Sequence, residues 1–314
     1  MRPSITLLFL LAGLGSCGAV HTSPAPLAAQ AGPPGWTDRA DLEEGLPPGV
    51  RVRVLEDGDA PLRAFCVEVD PGRSGLELRV AMGEGVATVG ALAQGIGAPI
   101  AVNGGYFGGG RSYSLAVDRG VVLSRPPGAL GRAGLTYAAT RGAFGVLEDG
   151  RLDVAWAHAP GGVVREVPAP PAHRRGAPAA LEDPGRRWPV TTAIGAGPVL
   201  LESGEPRETW TEEVFFGSGI GAPESRQPRT AVGSTADGRV LLVVVEGRAA
   251  GSRGASLPEL TAMLRALGAV DAINLDGGGS SALVLGGRRV TALPDGARER
   301  PVSTILALAP AAVR

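Results

Sequence analysis

The chain has no lysine: all 30 of its basic residues are arginine. That excludes a Schiff-base amine, a Ser–Lys pair and any phosphate loop that depends on lysine. An anion bound here must be held by arginine, by backbone N–H groups or by a metal. Histidine is nearly missing too. His21 lies in the leader region, and His158 and His173 lie in a proline-rich stretch, which leaves little basis for a His-ligated zinc. The two cysteines are Cys17 and Cys66. Cys17 falls in the leader, so no intrachain disulfide is expected, and Cys66 in Phe65-Cys66-Val67 reads as a buried thiol. Aromatics make up only 4% of the residues, so the core must rest on Val, Leu and Ala. A formal charge of -1 gives no reason to expect nucleic acid as a partner.

What is abundant is glycine, at 49 residues, and proline, at 27, which point to many turns and a β-rich architecture. Residues 1–17 carry a short positive start and the apolar run Ile5–Ala12, too short for a spanning helix and suited to a signal peptide. They end in Leu14-Gly15-Ser16-Cys17, which resembles a bacterial lipobox, so that lipid on Cys17 would be the one membrane contact. Cleavage near Ala28-Ala29-Gln30 is the alternative. Either way the expected location is outside the cytoplasm, in the periplasm or outer envelope. Residues 18–49 are rich in Ala, Pro and Gly without period and read as a tether. The folded domain is expected over residues 50–314.

Alternating apolar residues flank Glu56-Asp57-Gly58-Asp59, Asp149-Gly150 and Asp237-Gly238, which are hairpin signatures. Residues 157–189 are crowded with Pro, Gly and Arg and read as a surface loop or hinge. A helix is expected over Leu257–Leu267, where Ser256 and Glu259 form a capping box and Gly268 supplies the stop. A second spans Val89–Ile96 between Thr88 and Gly97. Each helix leads to a short strand that ends at Asn before glycines: Ile100–Asn103, then Gly104-Gly105, and Val270–Asn274, then Asp276-Gly277-Gly278-Gly279. The sequence thus predicts an α+β fold, a twisted mixed β-sheet with few helices, containing a helix–strand–loop unit that occurs twice.

Asn274-Leu275-Asp276-Gly277-Gly278-Gly279-Ser280-Ser281 is the most informative stretch. Consecutive glycines let backbone N–H groups close on a ligand oxygen. Ser280 and Ser281 add hydroxyls, and Asp276 adds one carboxylate, as acid/base or as ligand to a divalent cation. Neither the lysine-dependent phosphate loop nor the Gly-x-Ser-x-Gly elbow fits.

Read together, six ordered elements carry a family resemblance: Asn103-Gly104-Gly105-Tyr106-Phe107, Gly195-Ala196-Gly197-Pro198, Arg229-Thr230-Ala231-Val232-Gly233, Glu246-Gly247-Arg248, the helix start Gly254-Ala255-Ser256-Leu257 with its Asn-Leu-Asp-Gly-Gly-Gly-Ser-Ser loop, and Arg300-Pro301-Val302. The chain resembles the phosphodiester glycosidase family from about Gly49 to Pro310. It departs from the family pattern at Glu246, commonly Asp, at Ala196, usually Gly, and in the 157–189 stretch.

The resemblance implies hydrolysis of a sugar linked through its anomeric oxygen to a phosphodiester, on envelope or extracellular glycans. Such a substrate needs cations for the phosphate and a carboxylate near the anomeric carbon. Arg229, Arg248 and Arg300 are the phosphate candidates, because guanidinium forks match phosphate oxygens. Asp276 is the first candidate for the catalytic carboxylate and Glu246 the second. Asn103 and Asn274 would bind sugar hydroxyls or phosphate. Gly104, Thr230, Gly277, Gly278, Gly279, Ser280 and Ser281 complete the expected binding set. Trp156, Trp188, Trp210 and Tyr106 suit either sugar stacking or core packing. Two other readings stay open: a non-catalytic exopolysaccharide-binding protein, and a metal-dependent phosphodiesterase that cuts the P–O bond.

Overall fold

A computed structural model describes residues 35–294 and 298–311. Cys17 and the leader lie outside the described residues. Three sheets dominate. An eight-stranded sheet runs in the order Trp36–Asp38, Val50–Asp57, Leu62–Val69, Val240–Val245, Arg229–Thr235, Ala269–Asn274, Val199–Glu202, Glu205–Pro206. A seven-stranded sheet has Arg141–Leu147 at its centre, between Leu152–His158 and Val190–Gly195. A five-stranded sheet sets Ile100–Asn103 between Leu283–Leu285 and the long strand Val302–Pro310, which pairs on its other side with Leu76–Ala87.

The three sheets enclose one core, and residue alternation shows how. Along the strand Val240–Val245, Val240, Leu242 and Val244 enter the shared core. Leu241, Val243 and Val245 face the opposite way, onto Leu257, Leu260 and Leu264 of the helix Leu257–Ala266. The strand Val302–Pro310 repeats the pattern. Leu306 and Leu308 point to the shared core, while Ile305 and Ala307 point to a small cluster beneath the helix Val89–Gly95. A strand buried on both faces needs apolar residues at every position, which explains uninterrupted runs such as Leu241-Leu242-Val243-Val244-Val245.

The β-rich α+β fold with few helices is the one expected. Both helices sit within a residue or two of their expected ends, and the capping box forms: Glu259 N–H donates to Ser256 Oγ at 3.2 Å and Ser256 N–H to Glu259 Oε2 at 2.8 Å. All three hairpins form as well. Three details differ. Every pairing among the described residues is antiparallel, where a mixed sheet was expected, and the strands divide among separate sheets. Trp36–Asp38, inside the expected tether, pairs with Arg53–Leu55 and buries Trp36, because an indole gains more by covering the sheet's outer face than by staying in water. The repeated unit holds as far as each Asn and then diverges. The strand after the second loop, Leu283–Leu285, pairs back onto Ile100–Asn103, whereas the strand after the first, Ala116–Asp118, joins the seven-stranded sheet.

The proline-rich 157–189 stretch runs largely over the surface but is anchored by a buried histidine. Ala179 N–H donates to His173 Nδ1 at 2.9 Å, so the proton sits on Nε2, which donates to the Ala138 carbonyl at 2.8 Å. His173 is therefore structural. Cys66 is a free, buried thiol, pushed up to about 12 by burial.

Replacing Ser256 by Ala removes one half of the capping box on the helix that covers the eight-stranded sheet. A loss of about 1 kcal/mol is expected, read as a lower midpoint in urea unfolding with an unchanged slope.

Candidate active site

The two Asn-ended strands meet. Ile100–Asn103 belongs to the five-stranded sheet and Ala269–Asn274 to the eight-stranded one. Asn103, fully buried, closes the join. Its Nδ2 donates to the Asp276 carbonyl at 2.6 Å, and its Oδ1 accepts from Thr230 Oγ1 at 2.7 Å and from Ala282 N–H at 3.2 Å. The backbone adds a fourth link, Asp276 N–H to the Gly104 carbonyl at 3.1 Å. A Cβ on Gly104 would lie 2.5 Å from Thr304 Oγ1 and 2.9 Å from the Thr304 backbone, so only glycine lets the strands come this close.

Above this join lies a cleft of about 940 Å³, at the large end for ligand sites. Asn274, Asp276 and the three glycines Gly277, Gly278 and Gly279 form one part of its lining. Arg132, Arg141, Arg229, Arg248 and Arg300 contribute five guanidiniums, and Asp276 is the only carboxylate among the described lining residues. A chain with a formal charge of -1 has thus gathered a strongly cationic site. Arg229 is nearly buried, held by the Ala255 carbonyl at 3.0 Å and the Ser225 carbonyl at 2.8 Å, with no ion pair among the described residues. Burial holds its guanidinium below the ordinary value. Arg248 donates through Nε to Gln227 Oε1 at 3.1 Å, and Arg300 packs so tightly on Gly279 that a Cβ there would sit 2.7 Å from its Cζ.

Asp276 is pushed up to about 6. Burial is the main cause; Ser280, the Gly277 N–H and the Arg300 charge pull in the other direction and only partly offset it. The Gly277 N–H donates to Asp276 Oδ1 at 2.9 Å. Beside it, Asn274 directs its Nδ2 to Tyr106 Oη at 2.8 Å and to the Leu275 and Gly197 carbonyls, while its buried Oδ1 has no partner. That leaves an unused acceptor on a residue that lines the cleft. Tyr106 also lines it, with its hydroxyl fixed by donation to the Gly197 carbonyl at 2.7 Å.

Several expected site residues lie beneath the cleft and not in its lining: Asn103, Gly104, Thr230, Ser280 and Ser281. They build the join. Glu246, the second candidate carboxylate, does not line the cleft either. Its Oε1 accepts from Ala292 N–H at 2.6 Å, and its main chain is held by Ser252 and Arg63, so it anchors a loop. The glycine loop's amides are largely engaged within the fold. Gly277 N–H goes to Asp276, Gly278 N–H to the Pro228 carbonyl, and the Ser280 and Ser281 N–H groups close a tight turn. The loop's main service is close approach, and the arginines supply the positive charge. No Trp lines the cleft: Trp156 and Trp188 are core residues that donate to Glu213 and Asp153. The donor set of five arginines and one carboxylate suits an anion and does not suit a divalent cation. Among the described residues no group of three or more His, Cys, Asp or Glu could hold a metal.

Sequence reading missed Arg132, Arg141 and Glu213. Glu213 is fully buried and accepts four hydrogen bonds: from Gly142 N–H (2.7 Å), Val199 N–H (2.9 Å), Trp156 Nε1 (3.0 Å) and Thr209 Oγ1 (2.6 Å). It ties the segment leading to the cleft-lining residues 217–221 onto the seven- and eight-stranded sheets. Nothing in Thr211-Glu212-Glu213 marks it in the sequence.

The phosphodiester glycosidase family profile matches residues 97–309, more than half of the chain. The chain belongs to the phosphodiester glycosidase family. Among solved structures, this chain is similar to the zebrafish N-acetylglucosamine-1-phosphodiester α-N-acetylglucosaminidase catalytic domain auto-inhibited by its pro-peptide, at TM-score 0.58 and 21% identity, covering 87% of this chain and 88% of that one. It is also similar to a hypothetical protein from Synechocystis, at TM-score 0.57 and 21% identity, covering 83% of this chain and 62% of that one. An uncharacterized SPbeta prophage-derived protein of Bacillus subtilis, YomE, is 31% identical over 80 residues, 26% of this chain and 12% of that protein. The structural likenesses show the fold. The family match supports hydrolysis of glycosyl phosphodiesters at the level of the family.

If Asn103 serves the join and not the substrate, Asn103→Ala strands three buried partners. It should cost about 3 kcal/mol or more, lowering the melting temperature by several degrees. A raised KM with an unchanged melting temperature would instead make it a substrate ligand.

Proposed function

We propose that this protein hydrolyses glycosyl phosphodiesters carried by envelope or extracellular glycans, with Asp276 as the catalytic carboxylate and Arg229 as a principal ligand of the phosphate. The observation that carries the reading is the pairing of one carboxylate, pushed up to about 6, with five arginines in a single cleft. Export rests on the leader, residues 1–17, and lipid attachment on Cys17 rests on the lipobox.

Glycoside hydrolysis usually employs two carboxylates, one to protonate the leaving oxygen and one to serve as base or nucleophile. The cleft lining offers one. A phosphodiester explains the economy, since its leaving group is a weakly basic phosphate whose negative charge arginines can stabilise without a proton. In this mechanism the ionised Asp276 accepts a proton from water as the water oxygen bonds to the anomeric carbon. The carbon–oxygen bond to phosphorus breaks, and its electron pair leaves with the phosphate as a phosphomonoester. Arg229 faces the accumulating charge. Mass spectrometry of the products of a sugar-1-phosphodiester panel tests the reaction: free sugar plus phosphomonoester is expected. Sugar-1-phosphate as the product means P–O cleavage and overturns the assignment.

Because the ionised form is active, kcat/KM should rise with pH through about 6 and then level. Asp276→Asn should lose roughly 10²–10⁴-fold in rate and flatten that profile. The same substitution should affect stability with a definite sign. A carboxyl raised in the folded state contributes most below its unfolded value, near 4, and loses that contribution as pH rises through about 6. Asp276→Asn should therefore raise the melting temperature at pH 7.5, by up to about 3 kcal/mol in stability, and leave it nearly unchanged at pH 4. A melting temperature that falls at both pH values would show that the carboxylate chiefly ties down its own turn.

Arg229→Gln should raise KM for a glycosyl phosphodiester by roughly 10- to 100-fold, since hydrogen bonds to charged groups are worth about 1.5–3 kcal/mol. Inhibition by the neutral free sugar should change little. Equal losses for both ligands would assign Arg229 to the architecture.

A further inference from the structure

Four of the five arginines in the cleft, Arg132, Arg141, Arg229 and Arg300, make no salt bridge among the described residues. Among the described lining residues only Asp276 carries the opposite charge, and Glu213 lies behind Arg141. A single phosphodiester carries one negative charge and leaves most of this excess unanswered. The surplus is also organised. Arg132 and Arg141 lie outside the family's sequence elements and converge on one acceptor: Nη2 of each donates to the Val214 carbonyl, at 3.2 and 3.4 Å. Their other bonds go to neighbouring carbonyls, Arg132 Nε to Phe216 at 2.8 Å and Arg141 Nε to Glu213 at 3.2 Å. The Arg141 guanidinium also lies over the Phe215 ring, 4.3 Å from its centroid.

This arrangement is costly without an anion. Two like charges share one carbonyl, an arrangement that disfavours the charged form of Arg141. Burial is the main cause that holds both guanidiniums below their ordinary value; on Arg141 the charge of Glu213 partly opposes it and the charge of Arg132 adds to it. The nearby carboxylate, Glu213, has both oxygens occupied by four donors of its own. The shared carbonyl belongs to a buried β-branched residue at φ 60, a conformation such residues rarely adopt. Strain of this kind persists where the surroundings enforce it, and it gathers at ligand sites.

We propose that Arg132 and Arg141 form a second anion subsite in the same cleft, one that takes a further phosphoryl group of the substrate. The inference rests on the reading of Asp276 and Arg229 as the reacting centre and names the substrate class: a glycosyl phosphodiester with at least one more phosphate. That second phosphate has two chemical sources. In a polymer of sugar phosphates it lies one sugar away; in a glycosyl diphosphate it adjoins the first.

The test compares kcat/KM for three substrates of one sugar: the simple sugar-1-phosphodiester, a dimer of the sugar–phosphate repeat with two phosphodiesters, and the glycosyl diphosphate ester. Wild-type protein should favour one of the two doubly charged substrates over the simple one, and which it favours identifies the source. Arg141→Gln and, separately, Arg132→Gln should each reduce that preference by roughly 10-fold or more, through KM. Melting temperatures of both variants separate a lost subsite from misfolding, since each arginine also holds backbone carbonyls. No wild-type preference, or a preference that survives both substitutions, overturns the subsite. Calorimetric titration with tripolyphosphate and with orthophosphate keeps the question separate from catalysis. Should no substrate be turned over, the hydrolase reading fails, yet both variants should still weaken tripolyphosphate more than orthophosphate. Equal weakening, or none, rejects the second site independently.

Discussion

The structure turns on one buried carboxamide. Asn103 ends a strand of the five-stranded sheet, and with it that sheet grips the Asp276 carbonyl, the Thr230 hydroxyl and the Ala282 amide. Strands of two sheets and both ends of the glycine loop are thereby held at one point. The loop follows a path that glycine makes available, and this side chain selects a single position along that path. Gly104 and the packing of Thr304 beneath it complete the contact. Since the catalytic candidate follows Asn274 by two residues, the placement of its carboxylate is fixed by main-chain bonds on both sides.

That placement creates a carboxylate deep enough to keep its proton up to about pH 6, in surroundings rich in positive charge. The two influences oppose one another, and burial prevails. The result is a carboxylate that titrates at about 6 beside a group of cations, which is what the proposed base and phosphate ligands require. A single acid in the lining is chemically consistent with such a leaving group, which makes little demand for a proton.

Much of the local structure could be read from the sequence. The hairpins at Asp149-Gly150 and Asp237-Gly238 and the Ser256 capping box announce themselves because their determinants lie within a few residues of each other. The division into three sheets could not be read. Strands such as Val240–Val245 are buried on both faces, and a run without alternation does not say which face looks where. At the site, the loop from Asn274 to Ser281 stood out in the sequence, and Asn274, Asp276 to Gly279, Arg229, Arg248 and Arg300 line one cleft. Direction was not legible. Asn103, Thr230 and Ser280 are neighbours of the cleft that face the protein, and Glu246 turns to the Ala292 amide. Arg132 and Arg141 were hidden because a chain whose every basic residue is arginine offers no compositional contrast around them.

The arginines of the cleft are anchored mostly by carbonyl oxygens: Ala255 and Ser225 hold Arg229, and Val214 and its neighbours hold Arg132 and Arg141. Had carboxylates done the anchoring, an arriving anion would have to compete with them, and each binding event would begin by breaking an ion pair. Carbonyl anchors position the guanidiniums without neutralising them. The positive field of these guanidiniums is therefore set by the fold itself, in place before any anion arrives. The cost of bringing these charges together was met when the chain folded, and the backbone keeps them there.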